Sequence, residues 1–332
     1  MNKKVAVSLL ASVLVPASVF AADLGVAGVL SSTHTEGSRA SVGLTDLRLN
    51  VSGEVDENSN LTVVADIIDQ VDVPEAYVTF EKPFEAFGLN QIAVEGLVLE
   101  VGRKKVSFGL ANSRYEEDLN AAGKAWSVQT LLGENGLSGN GAELNYTVAG
   151  HAIEVGYFQS VDTNASTFGS ESPSYGTNQD AISARVAGES KVAGLKYGAS
   201  ALLYDASGED ESKVTLLGVD AQYERELGSD SAVLAELEVI NAAYQVSGED
   251  VSRLGFTVYG GYVWNADWTT GVRYDSLGEG DAAESASQIA LVADKNLSDT
   301  AKLRLSYSIT DGDDINDDTN SALAAQIVFA VK

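Results

Sequence analysis

The side chains best able to take part in chemistry in this chain are carboxylates, with 48 Asp and Glu against 21 Lys and Arg. The chain has no cysteine, which excludes thiolate nucleophiles, disulfides and cysteine metal sites. Its two histidines, His34 and His151, lie too far apart in sequence to indicate a histidine metal site. Neighbouring carboxylates such as Glu116 and Glu117 could act as acid and base, but no nucleophile motif or cofactor loop accompanies them. We therefore expect a non-enzymatic protein without a cofactor.

One acidic stretch near the C-terminus could bind Ca²⁺ through carboxylate oxygens, with Asp311, Asp313 and Asp314 as candidate ligands. The stretch lacks the spacing and the closing glutamate of an EF-hand, so a solvated loop is the favoured alternative. The formal net charge of −27 excludes nucleic acid as a partner, because phosphate backbones require a basic surface.

The N-terminus has the features of an export signal. Lys3 and Lys4 precede an apolar run over residues 5–20, and Val19 and Ala21 supply small residues before a cleavage point. A membrane anchor is the alternative, but the run is shorter than the ~20 apolar residues that cross a bilayer as a helix. We predict a cleaved signal peptide over residues 1–21 and a single exported domain over residues 22–332.

The exported domain is dominated by a period of two. Leu303, Leu305 and Tyr307 alternate with polar neighbours, a pattern typical of a strand with two different faces. Sixteen candidate strands begin near Leu24, Leu47, Leu61, Pro74, Leu97, Gly141, His151, Ala181, Leu195, Val214, Ala232, Arg253, Trp268, Ser285, Ala301 and Ala322. Most match the about 9–11 residues that a tilted strand needs to cross a bilayer.

Links between these strands alternate between long polar segments and tight turns, which is typical of outer-membrane barrels. Gln70–Val73 and Pro83–Gly96 depart from this alternation. Aromatic residues near strand ends, including Tyr157 and Trp264, suit interfacial girdles. We predict an all-β transmembrane antiparallel barrel of 16 strands in the Gram-negative outer membrane; a soluble β-sandwich or β-helix is the alternative.

A barrel of this size encloses water, and charged side chains on the polar face are solvated there. Predicted lumen-facing residues are Arg48, Asp66, Glu100, Glu143, Glu236, Glu238, Arg273, Lys302 and Arg304. The excess of carboxylates favours cations in the pore. Solubilising charge, or charge that bridges lipopolysaccharide on outer loops, is the alternative explanation.

The longest link, over residues 107–140, is predicted to fold inward and narrow the pore, because long mixed segments of this kind are usually functional. An ordinary outer loop is the alternative. Predicted constriction residues are Arg103, Lys105, Arg114, Glu116, Glu117, Asp118 and Lys124.

Two short motifs flank this link. The first contains Gly102, Lys105, Phe108 and Gly109, and the second contains Gly133, Glu134, Gly136, Leu137 and Gly141. Together they resemble the strand–loop–strand block of the phosphate-selective porins. The resemblance implies a homotrimeric porin of 16 strands whose third outer loop folds inward. Phosphate selectivity is not implied, since those members line the lumen with arginine and lysine.

The predicted function is passive diffusion of small hydrophilic solutes or ions, with a preference for cations. An anion- or phosphate-selective porin and a structural or adhesin barrel remain alternatives. Expected partners are outer-membrane lipid, lipopolysaccharide and the assembly machinery that reads a terminal aromatic residue. Phe329 has the right phase for that signal, although Lys332 ends the chain.

Overall fold

The computed structural model is a closed barrel of sixteen strands in which every neighbouring pair is antiparallel and β1 pairs with β16. The structure describes residues 22–35, 40–68, 72–89, 92, 94–115, 118–133, 136–162, 180–206, 212–246, 249–265, 267–279, 285–312 and 320–331. The predicted fold class and strand number are therefore confirmed.

The strands are β1 Ala22–Thr35, β2 Ser41–Asp56, β3 Ser59–Asp66, β4 Asp72–Phe80, β5 Leu97–Lys105, β6 Ser138–Val148, β7 His151–Asp162, β8 Ala181–Glu189, β9 Leu195–Ala206, β10 Ser212–Glu226, β11 Ala232–Val246, β12 Glu249–Trp264, β13 Trp268–Glu279, β14 Ser285–Ser298, β15 Ala301–Gly312 and β16 Asn320–Val331. Two short helices interrupt the described links, α1 at Pro83–Ala86 and α2 at Trp126–Leu132. Across the described residues, no helix combines the length and apolar character needed to cross a membrane.

The period of two becomes an inner and an outer face. Asp220 pairs with Glu238, and Thr257 of the next strand pairs with both Glu238 and Asp275, so these polar residues share the inner face. Val219 and Leu237, which lie beside them on the same strands, are exposed on the outer face. Apolar side chains therefore cover the outside of the barrel, as the alternation predicts.

Eight strands begin at the predicted residue, but β2 begins at Ser41 rather than near Leu47. The β1–β2 register shifts between Val29 and Leu30. This bulge changes the phase of the facing residues, so the alternation that marks Leu47 onward does not continue back to Ser41.

Tight turns close one end of the barrel. Ala149 and Gly150 join β6 to β7 with φ of 51° and 79°, the backbone of a type I′ hairpin. The β4–β5 link, residues 81–96, is at the same end and is much longer; Gly96 O accepts a 3.0 Å hydrogen bond from Thr147 N beside that hairpin. The long link that the sequence places at Pro83–Gly96 is thus present, between β4 and β5. The other irregular link, Gln70–Val73, includes residues outside the described ones.

The inner face is not polar throughout, which corrects the expectation of a lumen lined only by solvated polar side chains. Between β7 and β13, toward the end with the long links, it carries a cluster of buried apolar residues. These inner-face residues are Phe158, Ala181, Leu202, Tyr204, Val214, Leu216, Ile240, Ala242, Tyr244 and Leu277. Such a surface is stable only when another apolar segment covers it.

Candidate functional site

The apolar inner face is covered by the β5–β6 link. Its helix α2 contacts β11, β12 and β13 from inside the barrel. Val128, Leu131 and Leu132 are buried in the same cluster as the barrel residues, and Ser127 Oγ lies 2.9 Å from Thr257 Oγ1. The helix is therefore held against one side of the lumen by a buried, mainly apolar interface.

Charged side chains of the barrel hold the link by its backbone. Glu238 accepts hydrogen bonds from the N–H groups of Leu110 at 2.9 Å and Ala111 at 3.3 Å. Arg273 donates to Gly123 O at 2.8 Å, and Arg304 donates to Ala121 O at 2.9 Å and to Leu119 O. These bonds satisfy buried peptide groups that no regular secondary structure would pair.

The two motifs form the base of the link. Asn112 Nδ2 donates to Val106 O at 2.6 Å, and its Oδ1 accepts from Leu137 N at 2.6 Å, which joins the two ends of the link. Gly109 has φ +60°, and a Cβ there would meet Glu238 Oε1. The motif glycine is needed because the backbone bends sharply while it approaches the barrel wall.

The link leaves a cavity of about 630 Å³ between itself and the opposite wall; we call this the lumen cavity. Residues from β1–β6, β15, β16 and the link line it, with Ser31, Thr33, Ser306, Ser308 and Gln326 among its polar wall residues. The walls are hydrophilic. Among the described residues, the apolar cluster under α2 does not extend into this cavity.

The lumen cavity is lined by more basic than acidic side chains. Its cations are Arg48, Arg103, Lys105, Arg114 and Lys124, and its carboxylates are Asp46, Asp66 and Asp72. Five cations against three carboxylates leave a formal charge of +2, opposite in sign to the −27 of the whole chain.

Tyr115 organises two of these cations. The Arg48 guanidinium carbon lies 3.8 Å from the centre of the Tyr115 ring, and Lys105 Nζ lies 3.4 Å from it. Lys105 also donates to Arg114 O at 3.1 Å, while the Tyr115 hydroxyl donates to Glu75. Cation–π contacts and these hydrogen bonds fix the positive groups at the cavity wall.

Arg114 makes a two-pronged ion pair with Glu236, at 2.9 and 2.7 Å. Burial opposes the charge of Arg114, but the hydrogen-bonded Glu236 outweighs it, so the pKa of the guanidinium is raised. Arg48 is paired in the same way with Asp46.

Most other lumen carboxylates are also paired. Lys104 contacts Glu100 and Glu143, and Arg185 donates to both oxygens of Asp220. Asp294 accepts from Arg304 at 3.1 Å and lies 3.7 Å from Lys302. The acidic count of the lumen therefore overstates the negative charge available to a solute.

Each described residue that the sequence nominates for the site can be placed. Arg103, Lys105, Arg114 and Lys124 line the lumen cavity with Arg48 and Asp66, whereas Asp118 lies in the link, exposed and outside the cavity lining. Glu100, Glu143, Glu236, Glu238, Arg273, Lys302 and Arg304 form the inner-face contacts given above. Residues 1–21, Glu116, Glu117, Asp313, Asp314 and Lys332 lie outside the described residues; Asp311 lies near the end of β15.

Several residues of the site are missed by the sequence reasoning, among them Lys104, Arg185 and Tyr115. Lys104 has the same parity on β5 as Glu100, which the sequence places in the lumen, so alternation could have identified it. Arg185 has the same parity as Ser183 in β8, so its inward position could have been predicted from the alternation. Tyr115 lies in an irregular link, where no periodicity indicates its position.

Solved structures with the same fold are outer-membrane proteins. The anion-selective porin from Comamonas acidovorans has a TM-score of 0.70 and 12% identity, over 93% of this chain and 100% of that chain. OmpF of Salmonella typhi has a TM-score of 0.63 and 13% identity, and the channel DcaP of Acinetobacter baumannii has a TM-score of 0.61 and 12% identity. Each likeness covers 93% of this chain and 97% of the other chain. Neither a family model nor a curated protein matches the sequence. At these identities the likeness establishes a shared fold, the closed barrel of the outer-membrane porins.

Proposed function

We propose that this protein is an outer-membrane porin that lets small hydrophilic solutes diffuse passively through the lumen cavity. The observation that carries the proposal is the pairing of an apolar outer face with a hydrophilic cavity beside an inward link. Lipid stabilises the first surface and water the second, so the barrel provides a polar path across an apolar barrier. The protein needs no catalytic step and no cofactor for this task.

The test is conductance in a planar lipid bilayer containing the purified full chain. A water-filled path predicts discrete current steps of equal size that scale with salt concentration and have a linear current–voltage relation. An adhesin or structural barrel without a path would insert without producing steps, and this result would remove the proposal.

The sign of ion preference has two candidates. The lumen carboxylates favour cations by number, as the whole sequence does. Arg114 is paired with Glu236, which lies outside the cavity lining, and the other four cations of the lining still outnumber its three carboxylates. The remaining charge of +1, with most other carboxylates paired, favours anions instead. We propose anion preference, since the charges beside the path, rather than those of the whole chain, act on a permeating ion. The reversal potential in a tenfold KCl gradient has opposite signs for the two candidates.

We further propose that the chain is exported by its signal peptide, inserted by the outer-membrane assembly machinery and surrounded by lipid and lipopolysaccharide as a homotrimer. One of the structures with this fold, OmpT of Vibrio cholerae, is described in a trimer form. The resemblance of the link motifs to phosphate-selective porins supports the same assembly. Cross-linking in native outer membranes tests it, with a trimer band as the expected result.

A further inference from the structure

One wall of the lumen cavity is polar but uncharged. It is formed by the inner faces of β1, β15 and β16, where Thr33 and Ser306 flank Ala324 in register and Ser308 pairs with Ala322. Among the described residues of these three strands, the cavity lining includes no charged side chain. We call the polar residues of this part of the lining the neutral wall; they are Ser31, Thr33, Ser306, Ser308 and Gln326.

Two hydroxyl groups of the neutral wall are available to a solute. Ser306 is only 5% exposed, yet its side chain lines the cavity. Within the described part of the chain, neither Ser306 nor Ser308 uses its hydroxyl group in a hydrogen bond to another residue. A hydroxyl group can donate and accept, and a buried one costs free energy unless water or a solute satisfies it. The neutral wall therefore offers hydrogen bonds without charge.

The cations of the cavity come from other parts of the lining. Arg48 on β2 is bound to Asp46, and Arg114 in the link is bound to Glu236. Beside these two ion pairs, β5 and the link contribute three further cations to the lining, Arg103, Lys105 and Lys124. Ammonium and guanidinium groups bind carboxylates through charge-assisted hydrogen bonds. The cavity thus presents positive groups and uncharged hydroxyl groups on different walls.

Two carboxylates in the same lining add acceptors. Asp66 of β3 and Asp72 of β4 are partners in register. One oxygen of each is used locally: Asp66 Oδ1 accepts from Ile68 N at 3.1 Å, and Asp72 Oδ1 accepts from Val73 N at 2.8 Å. An ionised carboxylate can only accept hydrogen bonds, so it repels a simple anion but binds the hydroxyl group of a solute. These aspartates therefore favour a solute that carries hydroxyl groups besides its negative charge.

The volume of the lumen cavity points to an organic solute. About 630 Å³ lies within the range of about 300–1,000 Å³ found for pockets that bind small organic molecules. An inorganic anion would contact the cations and leave the neutral wall unused. An uncharged sugar would bond to the neutral wall and leave the cations unused. A solute with a carboxylate and several hydroxyl groups uses both.

We propose that the lumen cavity binds sugar acids, monosaccharides that carry a carboxylate, as they pass through the barrel. The proposal rests on the porin function proposed above and narrows it to one substrate class. The carboxylate of the solute contacts the cations of β5 and the link, and its hydroxyl groups bond to the neutral wall and to Asp66 and Asp72. Such binding concentrates the solute in the path and is weak enough to release it at the other end.

The test measures the KCl conductance of the full chain in a planar bilayer while one solute at a time is added. A bound solute obstructs the path, so the conductance falls and then saturates as the solute concentration rises. The four solutes are gluconate, acetate, glucose and inorganic phosphate. The half-saturating concentration of gluconate should be at least tenfold below that of each other solute. Acetate lacks the hydroxyl groups, glucose lacks the charge, and phosphate is too small to reach both walls.

A pair of substitutions tests the neutral wall. Ser306→Ala with Ser308→Ala should raise the half-saturating concentration of gluconate at least threefold and leave that of acetate unchanged, because only hydrogen bonds to hydroxyl groups are removed. Ser276→Ala with Ser287→Ala is the matched control, since these two serines pair on the outer face with the parity of the exposed Tyr274. If the first variant fails to fold, the comparison of the four solutes in the wild type decides.

The outcomes separate the sugar-acid site from the porin function. A wild-type protein that produces no current steps overturns both. A conducting wild type in which gluconate does not saturate the conductance, or in which another of the four solutes equals it, overturns the sugar-acid site alone. Equal weakening of gluconate and acetate in the Ser306→Ala, Ser308→Ala variant, or equal weakening of gluconate in the outer-face control, also overturns the site. A preference for gluconate that falls only in the neutral-wall variant supports it.

Discussion

At the scale of single residues, pairing decides which charges a solute would meet. Glu236 is bound to Arg114, and Glu143 is bound to Lys104, so neither carboxylate presents its full charge to the lumen. The cations of the lumen cavity lie on its wall, two of them against Tyr115. The local sign can thus oppose the sign of the whole chain.

Removing cations from the lumen cavity should change ion preference. We predict that the double variant Lys105→Gln with Lys124→Gln has a reversal potential several millivolts closer to the equilibrium potential of K⁺ in a KCl gradient. The reason is that two positive charges are removed from the cavity wall. Lys295→Gln is the control: Lys295 lies 5.3 Å from the ring of Trp268 on the outer face. Equal shifts in both variants would contradict the assignment of the cavity as the selective region.

Gly109 supplies a second prediction at this scale. Gly109→Ala places a Cβ against Glu238 at a positive φ. The left-handed backbone conformation alone should lower the free energy of unfolding by about 1–2 kcal/mol. We expect the barrel to lose its folded mobility in SDS gels at a lower temperature. Gly260→Ala, with open space around the Cβ, should leave that temperature unchanged; a similar fall there would contradict the argument.

At the scale of elements, the inward link is a packed component of the barrel rather than a loose loop. Its helix α2 lies on an apolar inner face, and barrel side chains bind peptide groups of the link that precede the helix. The apolar inner face of the barrel and the apolar face of α2 are therefore each shielded from water by the other.

Weakening this contact should make the channel noisier. Leu132 is fully buried in the cluster. Leu132→Ala should weaken the packing of the link on the barrel wall by about 2–5 kcal/mol of stabilising free energy. The predicted result is larger and fluctuating single-channel conductance. Leu237→Ala, a similar truncation on the outer face of β11, should conduct like the wild type; a quiet Leu132→Ala channel would show that the link is held without this contact.

The sequence predicts the strands well because alternation is a local signal, as β15 illustrates. It misses the start of β2, where a bulge changes the phase. It also misses the apolar inner face. The stretch 201–204 is apolar at both parities, which indicates that both faces of the strand are covered but not which segment covers them. Pairing partners such as Arg114 and Glu236, 122 residues apart, require the fold itself.

At the scale of the whole molecule, the barrel is divided lengthwise. The link covers the β7–β13 side, and β1–β6, β15 and β16 line the lumen cavity. On the outer face of the wall next to that cavity, the described residues of β16 and β1–β5 include no Tyr or Trp. The proposed path for solutes therefore runs along one side of the barrel.

The most direct test of the central claim uses two adjacent residues of β15. Ser308 lines the lumen cavity, whereas Ile309 is 40% exposed on the outer face. Each is replaced by the only cysteine of the chain, and single-channel current is recorded while a charged, membrane-impermeant methanethiosulfonate is added. A water-filled lumen at Ser308 predicts a stepwise fall in conductance for Ser308→Cys and none for Ile309→Cys. An unchanged current in Ser308→Cys with verified labelling, or a fall only in Ile309→Cys, would contradict it.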